Sequence, residues 1–418
     1  MFCKFTLAPY HVSYANTLRR AIITGVETVG IKADMTEKGT TTDVTVYRNN
    51  TPMTNEMLAD RIGLIPLAVT DPLTFDADRY TFTLNKINNT PEPMDITAGM
   101  IEVKEKRPDE EELIPIETDR FFPPSPITRD TALIAVLRPK MGPGGQEEGI
   151  HFTAKASVGT GRQHARYIPI SQCSYQYTPD DNEERIEEFF NNWVVNHKNI
   201  PNPDVLKSDS EKEAALRREF NTMAIKRCFK VDNHNEPYSF DFVIESVGVL
   251  PVQYIMKRAC EVIETMCNRY SNIEDGELPE EVSISPSSNR MVGFDFLFRG
   301  HDHTLGNLLQ TWLVENHIIG DTEPKVTYAG YSVPHPLRDE MVLRIGVEDG
   351  NESTARAALQ AAARGCAAFF VETKRLWISA TGMGAAAAAP VIPRRVDSVT
   401  KQAVRPPRAL AATAAEEE

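Results

Sequence analysis

The chain has 418 residues, of which 41% are apolar and 25% are charged, proportions typical of a globular protein with about three compact units. Its formal net charge of −14 argues against a protein that grips DNA directly, because such binding depends on lysine and arginine displacing counterions from the phosphates. The sequence contains no apolar run of membrane-spanning length and no cleavable signal pattern, so we expect an intracellular protein that contacts no membrane.

The first predicted elements are a strand with alternating apolar residues at Phe5 and Leu7, followed by a helix. One apolar stripe at helical spacing runs along this helix, and it consists of Tyr14, Leu18, Ala21, Ile22 and Val26. Ser13 precedes the stripe, and its hydroxyl is expected to cap the helix N-terminus, a contribution of about 1 kcal/mol. Thr304 is expected to cap a later helix in the same way. The order is therefore strand, short loop, capped helix.

Residues 46–236 are predicted to form an insert made mainly of strands. Short apolar runs with turn residues between them predict the strands, at residues 80–84, 132–137, 150–156 and 166–170. Acidic stretches at 109–112 and 180–188 are interpreted as solvated loops or helix faces.

Two longer amphipathic helices are predicted, one after Pro251 and one after Ser353. Their apolar positions recur at steps of three and four residues; those expected to pack between the helices are Ile255, Ala259, Val262, Met266, Leu359, Ala362 and Phe369. Burial of each large side chain contributes about 1.5–3 kcal/mol, so such a stripe needs a partner surface. The two helices are predicted to provide it for each other.

The start of the chain is repeated with a constant offset of 291 residues. The matched pairs are Phe5 and Phe296, Leu7 and Phe298, Ser13 and Thr304, Asn16 and Asn307, Leu18 and Leu309, and Ile22 and Leu313. We therefore predict an α+β fold with two related modules. The first comprises residues 1–45 and 237–271, the second residues 283–380, with a linker at 272–282 and an Ala- and Pro-rich disordered tail at 381–418.

Six cysteines are scattered without a CxxC pair, which argues against a disulfide framework and a zinc site. Cys260 and Cys267 are interpreted as small buried residues of one helix. His301, Asp302 and His303 resemble a metal or acid–base trio, but neighbouring side chains in a loop point in different directions. Asp302 is better explained as a carboxylate at a helix N-terminus, so we expect neither catalysis nor a cofactor.

Several longer motifs resemble one family. Residues 15–22 read ANTLRRAI and residues 55–67 read NEMLADRIGLIPL, which is similar to the alpha-type subunits of RNA polymerase: bacterial alpha, its archaeal counterpart (D) and the third-largest eukaryotic subunit. Residues 161–178 and 218–229 resemble the insert domain of the archaeal and eukaryotic branch, and residues 237–251 resemble the return into the dimerisation domain.

The second module resembles the smaller partner of these alpha-type subunits. Residues 301–313 read HDHTLGNLLQTWL and residues 328–337 read YAGYSVPHPL, similar to the eleventh-largest eukaryotic subunit and its archaeal counterpart (L). The motif residues are His303, Thr304, Leu305, Gly306 and Asn307. The partners are usually separate chains, and their fusion resembles the arrangement in large nucleocytoplasmic DNA viruses.

The resemblance implies a non-catalytic assembly platform of a DNA-directed RNA polymerase. Its two modules would pair pseudo-symmetrically and recruit the second-largest and largest subunits, along with small assembly subunits, and nucleic acid would be reached only through the complex. Fusion would raise the effective concentration of the modules to about the mM range. A viral protein of this kind would work in a viral factory in the host cytoplasm, in the host nucleus or in the virion.

The resemblance also implies a docking region for the large subunits, formed by Asn16, Arg19, Arg20, Glu56, Arg61, Gly63 and Pro66. Arg19 and Arg20 lie off the apolar stripe and are expected to face outward, where the second copy has Gln310 and Thr311. They are interpreted as bidentate contacts to a large subunit; a solvated basic pair is the alternative. For Gly63, the alternative is a helix stop.

Two departures from the family's pattern stand out. Residues 80–130 contain no cysteine, so neither the four-cysteine zinc site of the eukaryotic insert domain nor an archaeal iron–sulfur cluster is expected. The first repeat strand lies almost at residue 1, whereas relatives usually have another strand before it. The edge of that sheet is therefore bare or covered by another element.

Direct nucleic-acid binding is the other alternative. The best small basic patch lies at residues 159–166, with Arg162, His164 and Arg166. It lacks interleaved aromatic residues for base stacking. We therefore interpret it as packing against a small polymerase subunit or the insert sheet.

Overall fold

The computed structural model describes residues 2–34, 42–107, 113–140, 142, 144–273, 276, 278–287 and 291–382. The acidic stretch at 109–112 lies outside the described residues, as does the predicted disordered tail from residue 383 onward.

The described residues form sixteen strands and seven α-helices. The strands are β1 (Phe2–Leu7), β2 (Glu27–Gly30), β3 (Val44–Asn49), β4 (Tyr80–Asn88), β5 (Met94–Thr97), β6 (Glu102–Lys106), β7 (Leu113–Ile116), β8 (Leu133–Leu137), β9 (Glu148–Ala154), β10 (Ser157–Thr160), β11 (Ile170–Tyr177), β12 (Phe240–Ser246), β13 (Val282–Pro286), β14 (Gly293–Arg299), β15 (Tyr328–Ser332) and β16 (Glu340–Gly346). The helices are α1 (Val12–Thr24), α2 (Asn55–Gly63), α3 (Glu183–Lys198), α4 (Ser210–Glu219), α5 (Val252–Asn268), α6 (His303–Leu313) and α7 (Glu352–Thr381). The predicted α+β class is confirmed.

The first sheet contains three antiparallel strands in the order β1–β12–β11. Phe5 lies opposite Phe242, which lies opposite Tyr175. Their rings are in contact, with centroids 5.2 Å apart in both pairs. Residues 170–177 fall within the range predicted for the insert, yet they complete this sheet because Tyr175 packs on the aromatic residues of β12. The first unit is thus built from three separate stretches of chain.

The second sheet contains four strands in the order β13–β14–β16–β15. Its strand β14 and helix α6 occupy the positions that the repeat predicts from β1 and α1. Phe296 and Phe298 are fully buried opposite Leu343 and Met341. In the part of the chain that the structure describes, β13 has no counterpart beside β1, so β1 is an edge strand.

The long helices α5 and α7 pack against each other, and α1 and α6 join them in one hydrophobic core. Trp377 of α7 is buried with its ring 5.0 Å from Phe5, and its indole N–H donates to the Gln253 carbonyl at 3.1 Å. At the helix surface, Lys374 pairs with Glu264 of α5 at 2.8 Å. The core is therefore shared by both repeated units.

The remaining strands and helices form separate layers. A five-stranded sheet in the order β3–β9–β4–β6–β7 and an antiparallel pair β5–β8 surround a second core, against which α2 packs. Helices α3 and α4 enclose a small aromatic core around Phe190 and Phe220.

The prediction of a strand at 166–170 is wrong, since β11 begins at Ile170 and residues Ala165–Tyr167 form a 3-10 turn. The turn buries the Arg166 side chain, which donates to the Ile31 carbonyl and pairs with Asp34, both at 2.8 Å. Arg166 thus holds the stretch after β2 in place.

Candidate protein-interaction site

Helix α1 begins earlier than the sequence indicates. His11 is its N-cap, and the imidazole Nδ1 accepts the Ser13 backbone N–H at 3.1 Å. The expectation that Ser13 caps the helix is therefore wrong, because Ser13 already lies in the first turn. In the second unit Asp302, not Thr304, is the N-cap, and its carboxylate accepts the Thr304 N–H at 2.8 Å.

The hydroxyls of Ser13 and Thr304 instead join the two repeated units. Thr311 Oγ1 donates to Ser13 Oγ at 2.8 Å, and Asn307 Nδ2 donates to the same oxygen at 3.0 Å. Arg20 Nε donates to Thr304 Oγ1 at 2.7 Å. Ser13 corresponds to Thr304 and Arg20 to Thr311 in the repeat. The two contacts therefore exchange equivalent positions.

A second link between the units is the ion pair of Arg20 with Asp302, at 3.0 Å. Burial opposes ionisation of Asp302, but the bonds from Thr304 and the charges of Arg20 and Arg162 outweigh it, so the pKa of this carboxyl lies below its ordinary value. About a third of each side chain is exposed, and such a pair contributes about 0–1 kcal/mol. Arg20 thus faces the second unit, which corrects the expectation that both arginines point outward.

An aromatic cluster closes the space between α1, α6 and α7. The ring of Phe369 lies 4.9 Å from Tyr10, 4.7 Å from Tyr14 and 6.4 Å from Trp312. The Tyr10 hydroxyl shares a hydrogen bond of 2.8 Å with Thr373, and burial raises the pKa of Tyr10 to about 12. Both units therefore supply rings to one cluster.

The residues predicted to pack between the long helices differ in how deeply they are buried. Ile255, Ala259, Leu359 and Ala362 are fully buried, and Met266 and Phe369 are partly buried against the same core. Val262 is half-buried, and a Cβ added to Gly25 would lie 3.0 Å from its Cγ1. Val262 thus packs at the end of α1.

Arg19 lies on a different face from Arg20. Its Nε and Nη2 donate to Asn16 Oδ1 at 3.1 and 3.0 Å. Arg19 and Asn16 line an open groove beside β11. The other residues that line it are Cys173, Ser174, Tyr175, Gln176, Tyr177, Pro179 and Lys226. Sequence reasoning missed β11 and Lys226, because only the sheet order shows which strand lies beside α1.

The predicted docking residues at α2 lie on a helix that packs into a different hydrophobic core from that of α1. Glu56 is exposed in the first turn, and bonds from its own backbone N–H and from the Thr54 hydroxyl lower the pKa of its carboxyl. Arg61 donates to the carbonyls of Ile134 and Leu133 of β8, at 2.7 and 3.1 Å. Part of the hydrogen-bonding capacity of Arg61 is therefore used within the chain.

Gly63 is buried inside α2, and the helix ends with Leu64 as the C-cap in a right-handed conformation. The helix does end at Gly63, as the helix-stop interpretation expects, but Gly63 does not adopt the left-handed conformation of a glycine cap. A Cβ at this position would lie 3.0 Å from the Ile31 carbonyl oxygen and from the Arg166 guanidinium, so glycine permits a close approach. Pro66 is exposed beyond the helix.

The second-unit motif residues have separate contacts. The His303 ring lies 5.7 Å from Tyr331, and a Cβ at Gly306 would overlap the same tyrosine ring. Leu305 is fully buried. His301 Nε2 shares a hydrogen bond of 2.7 Å with Tyr270, and its pKa is lowered by burial and then by nearby arginines. The three residues 301–303 thus have three different sets of partners.

The basic patch at 159–166 also has partners within the chain. Arg162 pairs with Asp339 of the second unit at 2.6 Å, and its backbone N–H donates to the Thr24 carbonyl at the end of α1. Arg166 is held by Ile31 and Asp34 as described above. The patch therefore contributes to the packing of the two units.

In the part of the chain that the structure describes, no group of three or more His, Cys, Asp and Glu side chains is placed to hold a metal ion. None of the described helices combines the length and apolarity needed to cross a membrane.

Two family models for the RNA polymerase Rpb3/Rpb11 dimerisation domain match the sequence, one over residues 4–267 and one over residues 294–375. The chain is 25% identical over 301 residues to the human DNA-directed RNA polymerases I and III subunit RPAC1, covering 64% of this chain and 80% of the relative. It is 24% identical over 280 residues to the DNA-directed RNA polymerase subunit Rpo3 of Pyrococcus horikoshii, covering 64% and 92%.

A third relative is the conjugation stage-specific protein of Tetrahymena thermophila, 28% identical over 190 residues and 43% of this chain. The chain spans only 56% of the length of that protein.

Proposed function

The chain belongs to the RNA polymerase Rpb3/Rpb11 dimerisation-domain family, and from that premise we propose that it is a non-catalytic assembly subunit of a DNA-directed RNA polymerase. Homology to polymerase subunits Rpo3 and RPAC1 supports this role. The second family match, at residues 294–375, supports the proposal that two subunits are fused in one chain. The two units then pair with each other in place of separate partners.

The reciprocal contacts between the units carry the proposal. Ser13 contacts Thr311, and Arg20 contacts Thr304. Each contact joins the same two positions of the repeat, with the first and second units exchanged. Such an exchange is the property of an interface across a two-fold axis. This exchange supports our proposal that α1 and α6 are the two halves of a pseudo-symmetric pair, and the longer helices α5 and α7, which contact α1 and α6 respectively and each other, extend it.

The surfaces of this pair are proposed to dock the second-largest and largest polymerase subunits. Arg19 and Asn16 offer a cationic groove on the first unit, and the exposed residues Glu56 and Pro66 offer a second surface at α2. The second unit has Gln310 where the first has Arg19, so the faces differ and can recruit different subunits. Small assembly subunits join through the insert, and nucleic acid is reached only through the complex.

A viral source is proposed on the ground of the fusion. The chain then acts in a viral factory in the host cytoplasm, in the host nucleus or in the virion. Immunofluorescence of infected cells, with antibodies against the full chain, tests this location, because it shows which of these compartments contains the protein.

The test of docking is co-expression of the full chain with the second-largest and largest polymerase subunits of its source, followed by affinity purification. We expect Arg19→Glu to abolish recovery of the second-largest subunit while the chain itself stays folded. Lys212→Glu, the same charge change on the exposed face of α4, is the matched control. Full recovery of the second-largest subunit with the Arg19→Glu variant would contradict the docking role of α1.

Direct DNA binding is the competing function, and the net charge of −14 disfavours it. Filter binding of the isolated chain at physiological salt separates the two. Appreciable affinity for DNA would contradict the assembly role.

A further inference from the structure

The groove beside α1 has a backbone edge as one of its walls. It encloses about 760 Å³ between Arg19 of α1, residues 173–177 of β11 and Lys226. Among the described strands, β11 pairs with β12 on one side and with no strand on the other. An unpaired edge of this kind is a template on which another extended chain can form a ladder.

The register shows which backbone groups face the groove. Thr178 donates its N–H to the Ser239 carbonyl, 3.0 Å away on the side of β12. Successive residues of a strand point their backbone groups to alternate sides, and the one bulge of this ladder lies earlier, between Ile170 and Gln172. Residues 174 and 176 therefore point to β12, and residues 173, 175 and 177 present their N–H and C=O groups to the groove.

The side chains around this edge are positively charged. Arg19 is fixed beside the groove by its two bonds to Asn16, and Lys226 is exposed at the other end. None of the described residues that line the groove is acidic, although the chain as a whole carries a net charge of −14. A cationic groove on an acidic protein favours a negatively charged partner.

We propose that this groove binds an extended acidic segment of another polypeptide, which adds to the edge of β11 as a further strand. Backbone hydrogen bonds to residues 173, 175 and 177 supply the ladder, and carboxylates of the segment pair with Arg19 and Lys226. The inference rests on the proposed function, since the segment then belongs to a polymerase component that binds the first unit.

The experiment measures fluorescence anisotropy of a labelled short peptide of alternating valine and glutamate, titrated with the full chain. We expect saturable binding that Arg19→Glu and Lys226→Glu each weaken by at least about tenfold. Lys212→Glu makes the same charge change outside the groove and is expected to leave binding unchanged.

A second arm tests the ladder itself. The same peptide is N-methylated at alternate residues, in the two possible registers. One register removes the donors that face β11 and should abolish binding, whereas the other leaves them intact and should bind as before. Equal binding of both methylated peptides, equal binding of native and charge-reversed chains, or no binding of the parent peptide would each overturn the inference.

These failures are separable from failure of the proposed function. Recovery of the second-largest subunit with the native chain, together with a failed peptide test, leaves the assembly role and removes strand addition. Peptide binding that behaves as expected, with no recovery of any polymerase subunit, supports the groove and contradicts the assembly role.

Discussion

Gly365 of α7 lies where the indole of Trp312 crosses the helix. A Cβ at this position would overlap the Trp312 ring. Glycine inside a helix costs about 1 kcal/mol relative to alanine, so its presence here reflects the close approach of α6 to α7.

We therefore predict that Gly365→Ala destabilises the protein by about 1–2 kcal/mol, because the clash outweighs the gain in helix propensity. Chemical denaturation measures the change. Gly144→Ala is the control, since nothing lies within 4 Å of its added Cβ. A stabilised Gly365→Ala variant would show that the two helices do not approach so closely.

Ser13 and Thr311 are buried, with 3% and 6% of their surfaces exposed. Removal of the Ser13 hydroxyl takes the acceptor from Thr311 and Asn307, and removal of the Thr311 hydroxyl leaves Ser13 with Asn307 alone as a donor. A buried polar group that loses its partner costs about 1–3 kcal/mol. Ser13→Ala and Thr311→Val should each be destabilising, and the double variant should cost less than the sum. A double-mutant cycle by urea denaturation measures this coupling, and strict additivity would mean that the contact contributes nothing.

The partners of these hydroxyls could not be predicted from the sequence. A hydroxyl at the start of a helical stripe predicts a local cap, as it did for Ser13 and Thr304. The true acceptors are His11 and Asp302, and both hydroxyls bond across the units. Contacts between distant stretches of chain cannot be read from local spacing.

At the scale of elements, β2 is held to α5 by a bidentate ion pair. Arg258 donates to both carboxylate oxygens of Glu27, at 2.9 and 2.8 Å. Burial opposes ionisation of Glu27, but the bonds and charge of Arg258 outweigh it, so the pKa of Glu27 lies below its ordinary value of 4.5. The folded state therefore binds the proton less readily than the unfolded chain does, and the pair stabilises the protein above pH 4.5.

We predict that Glu27→Gln lowers the free energy of unfolding by about 1–2 kcal/mol at neutral pH. The difference from the native chain should shrink as the pH falls below 4.5, through the folded pKa, because Glu27 is then protonated in both states. Thermal melts over this pH range measure the trend. The stability of Arg258→Gln should depend less on pH over this range, as that of Glu27→Gln does. If the difference between Glu27→Gln and the native chain stayed constant below pH 4.5, the ion pair would not be the cause of the lost stability.

The strands and helices of the repeat could be predicted because the apolar residues of each recur at the spacing typical of that element. The two-residue alternation at Phe5 and Leu7 and the helical stripes of α1, α5 and α7 correspond to elements of the structure, although Val26 of the first stripe lies beyond the end of α1 at Thr24. The place of β11 was not predictable, because its sheet is completed by strands that lie far from it in the sequence. The same holds for the groove, which exists only once β11 lies beside α1.

At the scale of the whole molecule, the two units share one hydrophobic core. It contains residues of α1 and α5 from the first unit and of α6 and α7 from the second. The reciprocal contacts and the aromatic cluster join the same helices. Neither unit can lose its helices without exposing apolar surface of the other, so folding should be cooperative across the repeat.

This cooperativity gives the last prediction. Leu309 of α6 is fully buried in the shared core, and Leu309→Asp would place a carboxylate there at a cost of several kcal/mol. Hydrogen–deuterium exchange should show that amides of α5 in the first unit lose protection together with those of α6. Leu337→Asp is the matched control, because Leu337 is 89% exposed in the same unit and should change neither helix. If α5 kept its native protection while α6 lost it, the units would be independently stable, and the pairing of the two modules would be a contact rather than a common core.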